Sequence, residues 1–280
     1  MSRRRDLERH REQLDEMHEI LNSMKMLAFM ESRKLGEIIA TERAVVRHID
    51  ATAQGFLTWW PALRPAPPPG PRVCVLLGSE RGFCGDFSEA VARAAGADAA
   101  VRLIAVGHKL HGLLLDDPRV TARLDGASVA EEIPSLLTGI VEALAQARAS
   151  LGPCQVEVAL HPEASGGVVR KPLLPPFPTP PADEPRRPRP LLYLSPEGFL
   201  GALVEQYLFA ALKETICASL LAENTRRMAH LDNASRHLED RIEALRQRTN
   251  TLRQEEITEE LEVILLSVEN RMADRLRAVR

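Results

Sequence analysis

Residues 231–252 read LDNASRHLEDRIEALRQRTNTL, with Leu231, Leu238, Leu245 and Leu252 at every seventh place. Joined by Leu221, Met228 and Ile242, they make the a/d repeat of a left-handed coiled coil, whose apolar seam faces a partner helix. Nothing around this stretch stops a helix: residues 202–280 hold no glycine, and no proline follows Pro196. Proline removes a backbone donor and its ring collides with the preceding turn. The run therefore predicts one helix over 199–277, about 120 Å long.

The opposite end repeats the pattern. Leu7, Leu14, Leu21, Ala28 and Leu35 form one seven-residue row, and Met17, Met24, Ile38 and Val45 are its expected companion, interrupted by Glu31. No proline precedes Pro61, and residues 1–60 contain only Gly36 and Gly55. A second helix over 7–58, about 75 Å long, is expected. Helices of that length cannot bury their stripes inside a compact domain, so antiparallel pairing within the one chain is the economical arrangement. The mixed charges on their other faces suit a solvated shaft.

All 20 prolines lie between Pro61 and Pro196, which sets off a middle of different character. Val73–Leu77 is an unbroken apolar run, as expected of a strand covered on both faces. Further strands are expected near Arg102–Val106 and Val156–Leu160. Helices are expected near Phe87–Ala95, His108–Leu115 and Glu131–Leu151, giving βαβ units and a mostly parallel sheet. Trp60–Arg72 and Pro172–Pro190 read as irregular, and the second, with Arg186, Arg187 and Arg189, is expected to be mobile. The fold class is α/β: a long antiparallel coiled coil of the N- and C-terminal helices with an inserted small α/β domain. Its parts are a shaft helix over 1–60, a globular domain over 61–196 and a second shaft helix over 197–280.

Composition narrows the function. An aromatic content of 4% beside 45% hydrophobic residues suits buried surface made of narrow helix seams. A net charge of −3 argues against nucleic-acid binding, and Arg3–Arg5, followed at once by Asp6 and Glu8, reads as a solvated helix start. No run approaches the roughly 20 apolar residues of a membrane span, so the chain is expected to be cytosolic or to face the cytosol within a larger assembly. Cys74, Cys84, Cys154 and Cys217 are scattered without C-x-x-C pairing, the pattern of buried free thiols.

The loop Gly78-Ser79-Glu80-Arg81-Gly82-Phe83-Cys84-Gly85 lies between a strand and a helix, where phosphate-binding loops occur. A P-loop needs Lys and Ser or Thr after its last glycine, but Asp86 and Phe87 stand there, and the G-x-G-x-x-G spacing is missing. An acidic group at the helix start would also repel a phosphate, so a structural turn is the reading. Cys84 has no histidine close in sequence to activate it. His108 and His111 share a helical face without a third ligand. The cluster Glu255, Glu256, Glu259, Glu260 and Glu262 reads as a solvated face. No catalytic residue, cofactor site or metal site is expected.

Several strings, in order, resemble the γ subunit of F-type ATP synthases across nearly the whole chain. Ser23-Met24-Lys25-Met26-Leu27-Ala28 is similar to that family's A-M-K/E-M-V-A. Ser79-Glu80-Arg81-Gly82-Phe83-Cys84-Gly85 resembles S-D-R-G-L-C-G, Val106-Gly107-His108-Lys109 resembles V-G-x-K, and Leu173-Leu174-Pro175 resembles L-L-P. Glu223-Asn224-Thr225-Arg226-Arg227-Met228 is similar to S-E-x-x-A-R-M, with Asn233-Ala234 following. Residues 250–261 match N-x-x-R-Q-x-x-I-T-x-E-L.

The resemblance implies a noncatalytic rotor shaft. Such a shaft stands inside a hexamer of alpha and beta subunits, is accompanied by an epsilon subunit, and rests on a membrane ring of c subunits at the cytoplasmic face of the cell membrane. It couples proton or sodium flow to ATP synthesis or hydrolysis. By position, Met24, Arg227, Arg253, Gln254 and Thr258 correspond to hexamer contacts, apolar for Met24 and polar for the others. Arg81, Gly82, Cys84 and Gly85 belong to the signature loop. Departures stand out: Asn22 and Ser23 near the family's T-K, Phe29 and Met30 for small residues, Asp86-Phe87 for G-L-N, and an extended end over 271–280. They mark a divergent branch and leave open a housekeeping synthase or a second, ion-pumping ATPase. Two rival readings are a free coiled-coil adaptor, which leaves the ordered strings unexplained, and an α/β enzyme with helical arms, which lacks a catalytic constellation.

Overall fold

A computed structural model of the chain describes residues 2–163, 166–178 and 190–278, with side chains between Arg4 and Ser267. The arginines of the proline-rich stretch, Arg186, Arg187 and Arg189, lie outside the described residues. The elements are α1 (Ser2–Leu57), β1 (Arg72–Leu77), α2 (Phe87–Ala94), β2 (Val101–Val106), α3 (His108–Leu113), β3 (Val120–Leu124), α4 (Ile133–Leu151), β4 (Gln155–Leu160), β5 (Val169–Leu174) and α5 (Pro196–Ala278). They form two compact units: Met1–Lys25 with Leu231–Arg280, and Met26–His230.

In the first unit α1 and α5 run antiparallel, and polar pairs step along them in register. Arg4 meets Glu256 at 3.1 Å, His18 meets Glu239 at 2.9 Å, and Lys25 meets Asp232 at 2.8 Å. Ser235 Oγ donates to Asn22 Oδ1 at 3.2 Å. The leucine rows face inward, Leu14 and Leu231 being buried and Leu7, Leu21, Leu238, Leu245 and Leu252 half-buried.

The expected companion row on α1 is corrected. Met24 and Ile38 are half-buried as expected, but Met17 is 52% exposed and Val45 40%, because the more deeply inward second row lies four residues after the first, not three. Here that row is Arg11, His18 and Lys25, and on α5 it is Ser235, Ile242 and Thr249. On α1 a row of charged side chains leaves no apolar trace in the sequence, whereas on α5 Ile242 marks it. In the second unit the α1 row turns apolar at Ile39, Val46 and Ala53.

The second unit is a three-layer sandwich. The sheet order is β3-β2-β1-β4-β5, parallel except for the antiparallel β4–β5 pair. Alternate side chains of each strand point to opposite faces. Val73, Val75, Ile104, Val106, Val156 and Val158 face α4 (Ile140, Leu144) and α1 and α5 (Phe56, Leu212). Cys74, Leu76, Leu103 and Ala105 face α2 and α3, through Val91 and Leu110. Burial on both faces is why β1 reads as a continuous apolar run.

Two strands are additions to the three expected. Edge strand β3 is only half-buried, with Arg123 Nη2 donating to the carbonyls of Leu114 and Leu115. Strand β5 holds Pro172, so the first three residues of the stretch read as irregular, 172–174, lie in a strand. Proline lacks the ladder donor but is tolerated at a sheet edge, and here the register shifts beside Glu157. Glu31, read as an interruption, accepts the Ala130 N–H at 3.1 Å just before α4.

Candidate functional site

Strands β2 and β3 leave β1 on one side and β4 lies on the other, so the strand order reverses between β1 and β4. In open α/β sheets this reversal opens a crevice at the carboxyl ends of the strands, the usual ligand site. The loop Gly78–Asp86 after β1 and His161 after β4 border it. In this chain the crevice is filled by Glu223, Arg226 and Arg227 of α5.

The loop is fixed at several points. Gly78 N–H donates to Val106 O at 3.0 Å. Ser79 N–H donates to Ser88 Oγ at 3.0 Å, and the two hydroxyls lie 2.8 Å apart. Glu80 accepts from the backbone of His108 at 3.0 Å and of Gly126 at 2.7 Å, so a carboxylate in the loop ties down the turns after β2 and β3. Arg81 Nε donates to Ser128 Oγ at 2.9 Å. Phe83 at φ 63° and Gly85 at φ 62° turn the chain sharply, and a Cβ on Gly85 would overlap the His230 ring.

Arg227 and Arg226 grip this loop on either side of Cys84. Arg227 Nε donates to Gly82 O at 3.2 Å and Nη1 to Asn224 Oδ1 at 2.9 Å, while Nη2 pairs with Glu223. Arg226 pairs with Asp86 at 3.5 Å and donates to His161 Nδ1 at 3.2 Å and Gly166 O at 3.3 Å. Its guanidinium lies 5.5 Å from the centre of the Phe87 ring. His161 is fully buried, stands 4.3 Å from Phe87 ring to ring, and donates from Nε2 to Phe87 O at 3.1 Å.

Burial shapes the titration of this cluster. It raises the Glu223 carboxyl to about 7, against the pull of Arg227. It raises the Cys84 thiol to about 12, with Arg227 pulling the other way; a thiol so protonated is no nucleophile. Burial lowers His161 below its ordinary value, and the charge of Arg226 acts in the same direction. Cys74, Cys154 and Cys217 are likewise buried and free.

The residues singled out from sequence fall into three places. Arg81, Gly82, Cys84 and Gly85 come together in the gripped loop. Arg227, expected to present a polar contact outward, has a side chain only 6% exposed and faces the loop; the hydrogen-bond needs of its guanidinium are met inside the chain. In the first unit Met24 is half-buried, and Arg253, Gln254 and Thr258 are exposed on α5. Thr258 Oγ1 donates to Gln254 O at 2.9 Å. His108 and His111 stand 6.1 Å apart ring to ring, with His111 Nε2 against Leu124 O at 3.1 Å. Sequence reasoning missed His161 and Arg226. Nothing local marks His161, but Arg226 occupies the alanine of the S-E-x-x-A-R-M string, and that departure was a usable signal.

Fold and site together define a stalk-type protein: paired terminal helices and a doubly wound sheet whose ligand crevice is closed by its own helix. A family model described as ATP synthase matches residues 3–269. The ATP synthase gamma chain of Pelotomaculum thermopropionicum is 25% identical, over 93% of this chain and 96% of its own length. The fold is shared with a chain of the Euglena gracilis mitochondrial ATP synthase, OSCP/F1/c-ring in rotational state 3, at TM-score 0.63 and 16% identity, covering 98% of this chain and 96% of that one. It is shared too with a chain of the Tetrahymena thermophila mitochondrial ATP synthase central stalk/c-ring, at TM-score 0.55 and 17% identity, covering 77% and 99%. The chain belongs to the ATP synthase family. Its part there is that of the gamma-type central shaft, a noncatalytic and peripheral subunit, and among the described residues no helix is long and apolar enough to cross a membrane.

Proposed function

We propose that the chain turns inside a hexamer of alpha and beta subunits, with an epsilon subunit beside it, and transmits the rotation of a c-subunit membrane ring to the catalytic sites. The helical flanks, residues 1–60 and 197–280, act as the shaft, and residues 61–196 are the globular part. The chain works at the cytoplasmic face of the membrane, holds no cofactor and contributes no catalytic residue of its own. Rotation can drive catalytic sites through different affinities only if the shaft touches them differently at different angles.

The observation that carries the reading is the uncovered face of α5 in the first unit. Beside a seam already filled by Leu238, Leu245 and Leu252, the helix leaves Ile257 48%, Leu261 55% and Leu265 63% exposed, next to the exposed Arg253, Gln254 and Thr258. Apolar side chains interleaved with exposed polar groups form a surface that suits partner protein better than water. Met24 adds an apolar bearing contact, and Arg253, Gln254 and Thr258 make polar contacts that exchange as the shaft turns. Arg227 acts one step back, by holding the signature loop.

The test is reconstitution of the chain with its cognate hexamer and comparison with Arg253→Ala/Gln254→Ala. The expected result is an assembled complex in which the double variant loses about tenfold or more in ATPase rate, the equivalent of about 1.4 kcal/mol of lost transition-state coupling. Unchanged activity in an assembled double variant would remove these residues from the mechanism. Failure to assemble with any cognate hexamer would favour a free adaptor.

A further inference from the structure

The residues that depart from the family strings around the loop touch one another. Asp86 and Phe87 replace the G-L that follows the signature loop, and Arg226 replaces the alanine before Arg227. Arg226 carries the ion pair to Asp86 at 3.5 Å and lies over Phe87 at 5.5 Å. Departures scattered through the sequence thus meet at one joint, on the side of Cys84 that Arg227 does not reach.

We propose that Arg226 is a positioning residue for rotary coupling: through His161 and Asp86 it pins the start of α2, and with it the loop after β1, to α5. The inference rests on the rotor reading above. The linkage is a relay of hydrogen bonds. Arg226 Nη2 donates to His161 Nδ1, and His161 Nε2 donates to the carbonyl of Phe87, the first residue of α2. Nδ1 lies 3.2 Å from the Arg226 guanidinium and 3.4 Å from Gly166 O. The relay works in the neutral state, in which Nδ1 presents its lone pair to the guanidinium, whereas a protonated Nδ1 would turn to the carbonyl. Protonation would set an imidazolium N–H against an arginine N–H and place two cations together.

Burial, the largest influence, opposes protonation of His161, as does the charge of Arg226 from α5; the carbonyls of Phe87 and Gly166 and the charge of Asp86 before α2 favour it, and the balance falls to the neutral ring. Because the native state holds that proton less tightly than the unfolded chain, the stability from this joint is fully present above pH 6.5. It is lost as pH falls through the lowered native value.

The test has two readouts. In the full chain, hydrogen exchange is followed at the Ser79 amide, which donates to Ser88 Oγ, and at the Ala90 amide, which donates to Asp86 O. Arg226→Ala is expected to lower protection at both by about tenfold, while amides of β1 and β2 keep theirs. Wild-type protection at the same two amides is expected to fall in acid below pH 6.5, and His161→Gln, which keeps a donor and an acceptor but does not titrate, is expected to abolish that fall.

In the assembled complex, Arg226→Ala is expected to retain ATP hydrolysis while ion pumping per ATP drops at least about twofold, with Arg226→Lys recovering part through Asp86. Unchanged protection in Arg226→Ala, an acid response that persists in His161→Gln, or lost protection with intact pumping would each overturn the proposal. A wild-type chain that forms no active complex would overturn the rotor reading and the coupling role with it; the exchange result would still decide whether Arg226 holds the loop.

Discussion

Gly85 occupies a left-handed backbone position at φ 62° with the His230 ring where a side chain would begin. Gly85→Ala is therefore expected to lower stability by about 1–2 kcal/mol, the penalty of that conformation for an L-residue. His230 is exposed and can swing away, so adding His230→Ala should recover only the overlap. A denaturant titration of both variants separates the two parts. Glu223 poses the opposite question, whether a buried carboxylate helps at all. Arg227 has Gly82 O and Asn224 Oδ1 as further acceptors, so removing the Glu223 charge does not strand it. Glu223→Gln should therefore cost about 1 kcal/mol or less, well under the 3–5 kcal/mol of a buried ion left without acceptors. The native carboxyl titrates at about 7 against 4.5 unfolded and so holds its proton more tightly when folded. Stability from this group is lost as pH rises from 4.5 through 7, and the variant should flatten that slope in thermal melts.

At the scale of the elements, legibility followed chemistry. Leu231, Leu238, Leu245 and Leu252 announced their helix because one inward row is apolar throughout. The second row was misplaced by one residue on α1, since His18 and Lys25 meet α5 through polar groups, Arg11 pairs with Asp15 on its own helix, and Met17 decorates the outside. Leu231→Ala is expected to cost about 3 kcal/mol, as for a fully buried leucine, and Met17→Ala less than about 0.5 kcal/mol; chemical unfolding that ranks them otherwise would restore the original row. Strands β1, β2 and β4 were readable from double-sided burial, whereas β3 and β5 were not, because these edge strands are only partly buried and lack a continuous apolar run. The signature loop was legible as a string. Its grip was not, since Arg226 and His161 lie far apart in sequence and only the tertiary structure brings them together.

For the molecule as a whole, the two compact units differ in what holds them. Residues 26–230 contain the sheet and both cores and form an uninterrupted stretch of chain, although helices α1 and α5 run beyond them. Expressed alone, residues 26–230 are expected to fold and to unfold in one cooperative transition, checked by calorimetry against van't Hoff enthalpy. Exchange in the full chain should be slowest in β1, β2 and β4. It should be faster in the first unit, where one of the two inward rows of α1 is polar and no sheet contributes.

The crevice at the strand reversal has one more consequence. A crevice that binds a diffusible ligand is occupied in proportion to that ligand's concentration, and it empties when the ligand runs short. Here the occupant is tethered, so its effective concentration is set by chain geometry alone. Dilution of the protein cannot lower it. The joint between loop and helix thus belongs to the fold itself and is made whenever the chain is folded.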